Sequence, residues 1–318
     1  MLHNKKVGFI RSDDRRYEKR QEKIKKKIRK ILAIVKTEAI ENDVIIVVPK
    51  YKKYNKLLNK IISTQINRYV EKINLMELIF ENDMKFLENV ISRKYISNEK
   101  YYIKNNIIKV FNYIFQINQT NINLENVYVL VNDYNKQNIE LIKQLTEAFK
   151  TVNIITENIR RYKRLEDSYY KQGILITISN NKRKSLKNAK YIINIDFDKI
   201  KILMYNIYPN SVIINLSSND IEVRKGFNGV LINNLEIQVN EDEDCFIKEF
   251  YGNINKRVFL ETLIKRNANK TEYIKKINQK FDVKIDKLIG VRGIIENNEF
   301  LGIKSWQKVK TDLIYWRN

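Results

Sequence analysis

The chain has 318 residues, with 60 Lys or Arg against 37 Asp or Glu and a formal net charge of +23. That length allows two ordinary domains, and 43% hydrophobic with 11% aromatic residues is a folding composition. One cysteine, Cys245, and one histidine, His3, exclude a disulfide framework within the chain and zinc sites built from Cys and His. A Ser or Cys nucleophile would have only His3 as its base, so chemistry falls to Asp, Glu, Lys, Tyr, Ser or a bound cofactor.

In chain order, Lys6–Arg11 reads as a short strand, and Ser12 is placed to cap a following helix whose N-terminal end suits Asp13 and Asp14. Ile24, Ile28, Leu32 and Val35 then recur at spacings of four, four and three, which makes one apolar helical stripe. Asp43–Val48 is a buried strand stopped by Pro49. Helical segments are expected over Asn55–Arg93 and over Lys100–Ile117, and the polar stretch Gln119–Glu125 reads as a hinge.

The second half is more regular. Strands are expected at Val127–Asn132, Val152–Thr156, Ile174–Ser179, Tyr191–Asp196, Val212–Ser217 and Val230–Asn233. Their nearly continuous apolar runs suit parallel strands covered on both faces. Helices at Lys136–Lys150 and Ile159–Tyr170 fall between them, which implies right-handed crossovers and a doubly wound α/β sheet. Beyond it, Glu241–Asp244 reads as a solvated acidic loop, Arg257–Arg266 and Glu272–Lys280 as helices, and Leu288–Phe300 as a turn with a hairpin. The expected division is residues 1–118 as a smaller α/β lobe with a connecting helix, 124–240 as a Rossmann-like domain, and 241–318 as a helical segment packing back on the first lobe.

This layout resembles two-domain dehydrogenases of the shikimate dehydrogenase and glutamyl-tRNA reductase type. The resemblance implies a glycine-rich turn after the first Rossmann strand, where backbone amides meet a pyrophosphate at a helix N-terminus. Here that turn is Val131-Asn132-Asp133-Tyr134-Asn135-Lys136-Gln137-Asn138, and no glycine occurs between Gly8 and Gly173. Side chains crowd the approach and Asp133 adds a like charge, so conventional NAD(P) binding is disfavoured. Thr156-Glu157-Asn158-Ile159-Arg160-Arg161 stands where such enzymes hold the adenosine ribose or its phosphate, although Glu157 and Asn158 also suit a helix cap. The Pro-x-Lys of shikimate dehydrogenases is replaced by Pro49-Lys50-Tyr51-Lys52, and Cys245 lies outside the lobe where glutamyl-tRNA reductases carry their nucleophile.

Ligands of open parallel sheets bind beyond the carboxyl ends of the strands. That rim carries Asp133, Glu157, Asn158, Asn180 and Asp196, a candidate site for a cationic, sugar-like or nucleobase ligand of unknown identity. Asp133, Asp196 and Asp198 would suit magnesium by ligand type, but nothing in their spacing fixes a site, so no metal is assigned. The second candidate is an anion or nucleic-acid site of Ser12, Lys23, Lys26, Lys27 and Lys30, with Tyr51 and Tyr54 interleaved among lysines nearby. The excess positive charge favours nucleic acid, nucleotides or an acidic membrane surface as partners, and coding drift toward A and T produces the same lysine excess.

Residues Met1–Val7 show no apolar signal core, and the longest aliphatic run, Val44–Val48, is far short of the roughly 20 residues of a membrane span. A cytoplasmic protein without a transmembrane segment is expected. The leading reading is a degenerate dehydrogenase-like scaffold for ligand binding or protein association, leaning away from an enzyme. A nucleic-acid-binding protein and an oxidoreductase with a non-standard NAD(P) site stand as alternatives.

Overall fold

A computed structural model of the chain describes residues 6–13, 20–40, 43–73, 75–92, 95, 100–198, 202, 206–222, 227–266, 270–291 and 293–295. His3, Asp14, and residues 296–300 of the expected hairpin lie outside the described residues. The chain divides into two compact units, one from Met1–Asn98 and Ile237–Lys284, the other from Glu99–Glu236 and Ile285–Asn318.

The first unit holds a four-stranded sheet of β1 (Val7–Ser12), β2 (Lys36–Ile40), β3 (Asp43–Val48) and β4 (Glu77–Phe80), in the order β2-β3-β1-β4. β1 runs parallel to both β3 and β4, and every residue of β1 and β3 is buried. Helix α1 (Arg20–Ile31) follows β1, and α2 (Lys56–Ile73) buries Ile62, Ile66 and Val70 against the sheet's cluster of Ile46, Val48 and Phe80.

Two strands depart from expectation. The helix ends at Ile31, and the chain turns through Ala33 (φ +50°) into β2, an antiparallel edge of mixed polarity that gives a weak local signal. β4 lies inside the stretch expected to be helical. Its four residues ELIF are too short to show a period and owe their strand to pairing with β1. Glu241–Asp244 is also not a loop. It forms the first turn of α8 (Glu241–Tyr251), where Asn240 caps the amide of Glu243 at 2.9 Å and the carboxylates suit the positive helix end. Arg11 donates to the carbonyls of Glu249 and Phe250 at the other end of α8. Helices α9 (Lys256–Arg266) and α10 (Lys270–Lys280) complete this unit.

The second unit is built on a six-stranded, wholly parallel sheet. Its strands are β5 (Asn126–Leu130), β6 (Thr151–Ile155), β7 (Ile176–Ser179), β8 (Tyr191–Asn194), β9 (Val212–Asn215) and β10 (Val230–Ile232). The spatial order is β10-β9-β8-β5-β6-β7. Counted from β5 this is the Rossmann order 3-2-1-4-5-6, whose direction of winding reverses between β5 and β8. Ile192, Ile213 and Leu231 are buried in its core, each burial contributing about 1.5–3 kcal/mol.

Lys100–Ile117 is not one continuous helix. It breaks at Asn106, whose side chain bonds the carbonyl of Tyr102, to leave α3 (Tyr101–Asn105) and α4 (Ile107–Asn118). Phe111 of α4 packs edge-on against Phe149, with ring centroids 4.9 Å apart. After the sheet, β11 (Asn234–Gln238), β12 (Lys284–Gly290) and β13 (Gly293–Ile294) form a small sheet, in which Ile289 pairs with Ile294 in a tight hairpin.

Candidate functional site

At the switch point, the chain leaves β5 through Val131, Asn132 and Asp133 and enters α5 (Lys136–Ala148) at Asn135. Asn135 accepts from the amide of Asn138 at 3.0 Å, so it caps the helix end that a phosphate would otherwise face. The neighbouring strand β8 delivers Asp196. Its carboxylate accepts from the amide of Asn132 at 2.8 and 2.9 Å and from the amide of Asp133 at 2.7 Å. A side-chain carboxylate thus occupies the amides that an anionic ligand would use.

The rest of the turn is tied down in the same way. Asn158 donates from its side chain to the carbonyl of Asn132 at 2.7 Å, and the amide of Glu157 donates to the Asn132 side chain at 2.8 Å. Asn158 holds the N-cap position of α6 (Ile159–Tyr170) with no side-chain bond into the helix, while its side-chain NH2 group donates to Asn132. The expected cap at Glu157 and Asn158 is therefore not made. The carbonyl of Asp133 accepts from Asn138 at 2.7 Å and from the buried hydroxyl of Tyr162 at 2.9 Å, and Tyr134 packs edge-on upon Tyr162 at 5.1 Å. Lys104 of α3 reaches the Asn138 side chain at 2.6 Å.

Burial raises the Asp196 carboxyl above the ordinary value of 3.8, against the pull of the Asp133 and Asn132 amides. Burial likewise raises the Tyr162 phenol well above its usual range, with Asp196 and Asp133 adding to the effect. Glu157 is exposed and paired with Lys182. The expected rim residues Asp133, Glu157, Asn158 and Asp196 meet around Asn132. Asn180 lies past the end of β7, two strands from β5, where its carbonyl accepts from the amide of Lys182, the first residue of α7 (Lys182–Leu186), at 3.0 Å.

Beside this knot runs a feature that the sequence alone did not disclose. Asn194, Asn215 and Asn233, just at or past the ends of β8, β9 and β10, form a buried ladder. Asn194 donates to Asn215 at 2.9 Å, and Asn215 donates to Asn233 at 2.8 Å. Each end is closed on backbone: Asn194 exchanges bonds with Phe197, and Asn233 with Ile221. Ser217 donates to Asn215 at 2.8 Å. The signal was present as three similar strand ends, YIIN, VIIN and VLIN, the last completed by Asn233.

In the first unit, Ser12 does not cap α1. It is the buried last residue of β1, its amide donating to Glu81 at 2.6 Å, and the helix begins at Arg20. The buried carboxylate of Asp13 lies 3.7 Å from Lys26 and 3.5 Å from Arg29. Lys26 and Lys30 line a cleft of about 370 Å3 together with Asp13, Lys50, Tyr51 and Lys52. Lys23 and Lys27 stand exposed on α1 outside it. Tyr51 and Tyr54 pack on each other at 5.3 Å and against the sheet's core, and Tyr54 donates to the Pro49 carbonyl at 2.9 Å, so their rings are engaged within the unit.

Among the described residues no cluster of three or more His, Cys, Asp or Glu side chains could hold a metal ion. Nor is any helix among them long and apolar enough to cross a membrane.

No protein-family model matches the chain. No curated protein matches it either. Among solved structures it is similar to shikimate dehydrogenase from Aquifex aeolicus, at 12% identity over 72% of this chain and 85% of that one, with a TM-score of 0.31. It is similar to a dipicolinate synthase subunit from Bacillus halodurans at 13% identity, 74% and 90% coverage and a TM-score of 0.34. The same holds for ornithine carbamoyltransferase from Pyrococcus furiosus at 10% identity, 67% and 72% coverage and a TM-score of 0.26. The Rossmann assignment of the second unit rests on its own strand order.

Proposed function

We propose that the second unit is a degenerate dehydrogenase-like scaffold, retained for ligand binding or protein association and not for dinucleotide-dependent catalysis. The observation that carries this reading is the Asp196 carboxylate seated on the amides of Asn132 and Asp133. An incoming pyrophosphate would have to displace a fixed negative charge and then share the crevice with it, which opposes binding twice. The hydrogen bonds from Asn158, Tyr162 and Asn138 hold the turn closed from its other sides.

Calorimetric titration with NAD and NADP in both redox states tests the reading. No heat of binding is expected at millimolar cofactor. Micromolar affinity, followed by turnover of any hydroxy or carbonyl compound, would replace this reading with that of an oxidoreductase using a non-standard cofactor pose.

A further inference from the structure

Helix α1 is folded inside out. At 3.6 residues per turn, Ile24, Ile28 and Ile31 lie on one face, and Glu22, Lys26 and Arg29 on the opposite one. A helix on a globular surface turns its apolar face to the core. Here the polar side is the less exposed, with Lys26 and Arg29 directed at buried Asp13. The isoleucines point away from it: Ile24 is 51% exposed, Ile28 48% and Ile31 72%, and Leu32 and Ile34 continue the surface at 59% and 40%.

The apolar surface does not stop at α1. Gln65 of α2 bonds the carbonyl of Ala33 at 2.9 Å and the amide of Val35 at 3.1 Å, on either side of Ile34. One and two turns before Gln65 on the same face of α2 stand Ile61 and Leu57, both exposed. Around the α1 stripe, exposed Lys23 and Lys27 border one side and exposed Lys25 the other.

We infer that this face is a docking surface for an anionic lipid bilayer, with the α1 isoleucines in the acyl boundary and the bordering lysines at the headgroups. Both halves of the requirement for an interfacial helix are met: outward aliphatic side chains and a cationic border able to reach up to phosphates. Nucleic acid would use the lysines but has no need of five adjoining aliphatic side chains. The charge of the helix selects acidic lipid: Lys25 is paired with Glu22 at 3.1 Å, but an uncharged bilayer would offer no counter-charge to the exposed Lys23 and Lys27.

Flotation of the full chain with vesicles decides the matter. Binding is expected to phosphatidylcholine–phosphatidylserine vesicles and not to phosphatidylcholine alone, and to weaken as salt is raised. The triple variant Ile24→Ser, Ile28→Ser, Ile31→Ser should lose vesicle binding with an unchanged thermal transition. Lys23→Gln and Lys27→Gln should each weaken binding about fivefold.

Three results would overturn the inference. The first is a wild-type chain that ignores acidic vesicles yet binds oligonucleotides equally well with and without the isoleucines. The second is a wild-type dimer in ultracentrifugation that the triple variant dissociates while neither form floats. The third is a triple variant that unfolds, since the isoleucines would then belong to the core.

Discussion

Each unit follows the first strand of its sheet with a helix, and one helix buries its apolar face while the other exposes it. In the second unit, α5 buries Leu141, Ile142 and Leu145 against the sheet. In the first, α1 carries an equally regular apolar stripe and turns Ile24, Ile28 and Ile31 to solvent. The polar groups reverse as well. The strand ends of the second unit spend their carboxamides and Asp196 on one another and on backbone, whereas the first unit presents exposed lysines beside an open cleft. The switch point of one unit is closed on itself, and the first helix of the other keeps its apolar and charged surface available. The lesson is that periodicity identifies a helix face without saying what that face meets.

The sharpest test makes the same change on both sides. Ile213 in β9 is wholly buried, so Ile213→Ala is expected to cost about 4 kcal/mol through lost transfer energy and a cavity. Ile28→Ala should stay within about 0.5 kcal/mol, since little is removed from the interior. Urea denaturation of both variants compares them directly, and equal losses would erase the distinction between the two units.

Next in size is Asn215→Ala. It removes the middle rung of the ladder and strands polar groups on Asn194 and Asn233, for an expected loss of about 3 kcal/mol. A thermal transition equal to that of the unaltered chain would mean that the carboxamides are not structural.

Asp196→Ala should cost about 2 kcal/mol, because the amides of Asn132 and Asp133 lose their acceptor. The titration of Asp196 has a definite sign. Its pKa is higher folded than unfolded, so ionisation subtracts stability as the pH rises through 3.8 and above. Asp196→Asn lacks that titration, and its deficit against the unaltered chain should therefore shrink from acid to neutral pH. A deficit that instead grows toward neutral pH would show that the ionised carboxylate is a net stabiliser.

The smallest effect is expected in the first unit. Asp13→Asn weakens two long ion pairs, to Lys26 and Arg29, and should cost under about 1 kcal/mol. Its hydrogen-exchange signature should be confined to α1 and the strand before it, and spreading into α5 or β8 would contradict the separation between the units.

Local sequence was enough wherever burial is two-sided and continuous. In the second unit β8, β9 and β10 were legible because a parallel strand covered on both faces reads as an unbroken apolar run, and β5, β6 and β7 because apolar residues recur at every second position. β2 was not, since Lys36–Ile40 is a mixed-polarity edge whose ladder comes from β3. β4 was not, since Glu77–Phe80 is too short for a period to show and is made a strand by β1. At the switch point the residue types of the rim were legible, and so was the absence of glycine. The bond that closes the rim was not, because Asp196 meets amides 64 and 63 positions earlier in the chain.

By itself, then, the sequence determined the doubly wound second unit, the missing phosphate turn and the presence of a basic apolar-striped helix near the start. These follow from composition and spacing, which act between near neighbours. Only the tertiary structure decided that Asp196 accepts from the amides of Asn132 and Asp133, that three asparagines join across adjacent strands, and that α1 points its isoleucines outward. Those outcomes depend on which distant backbone and side-chain groups come within hydrogen-bonding reach, and short-range spacing carries no record of that.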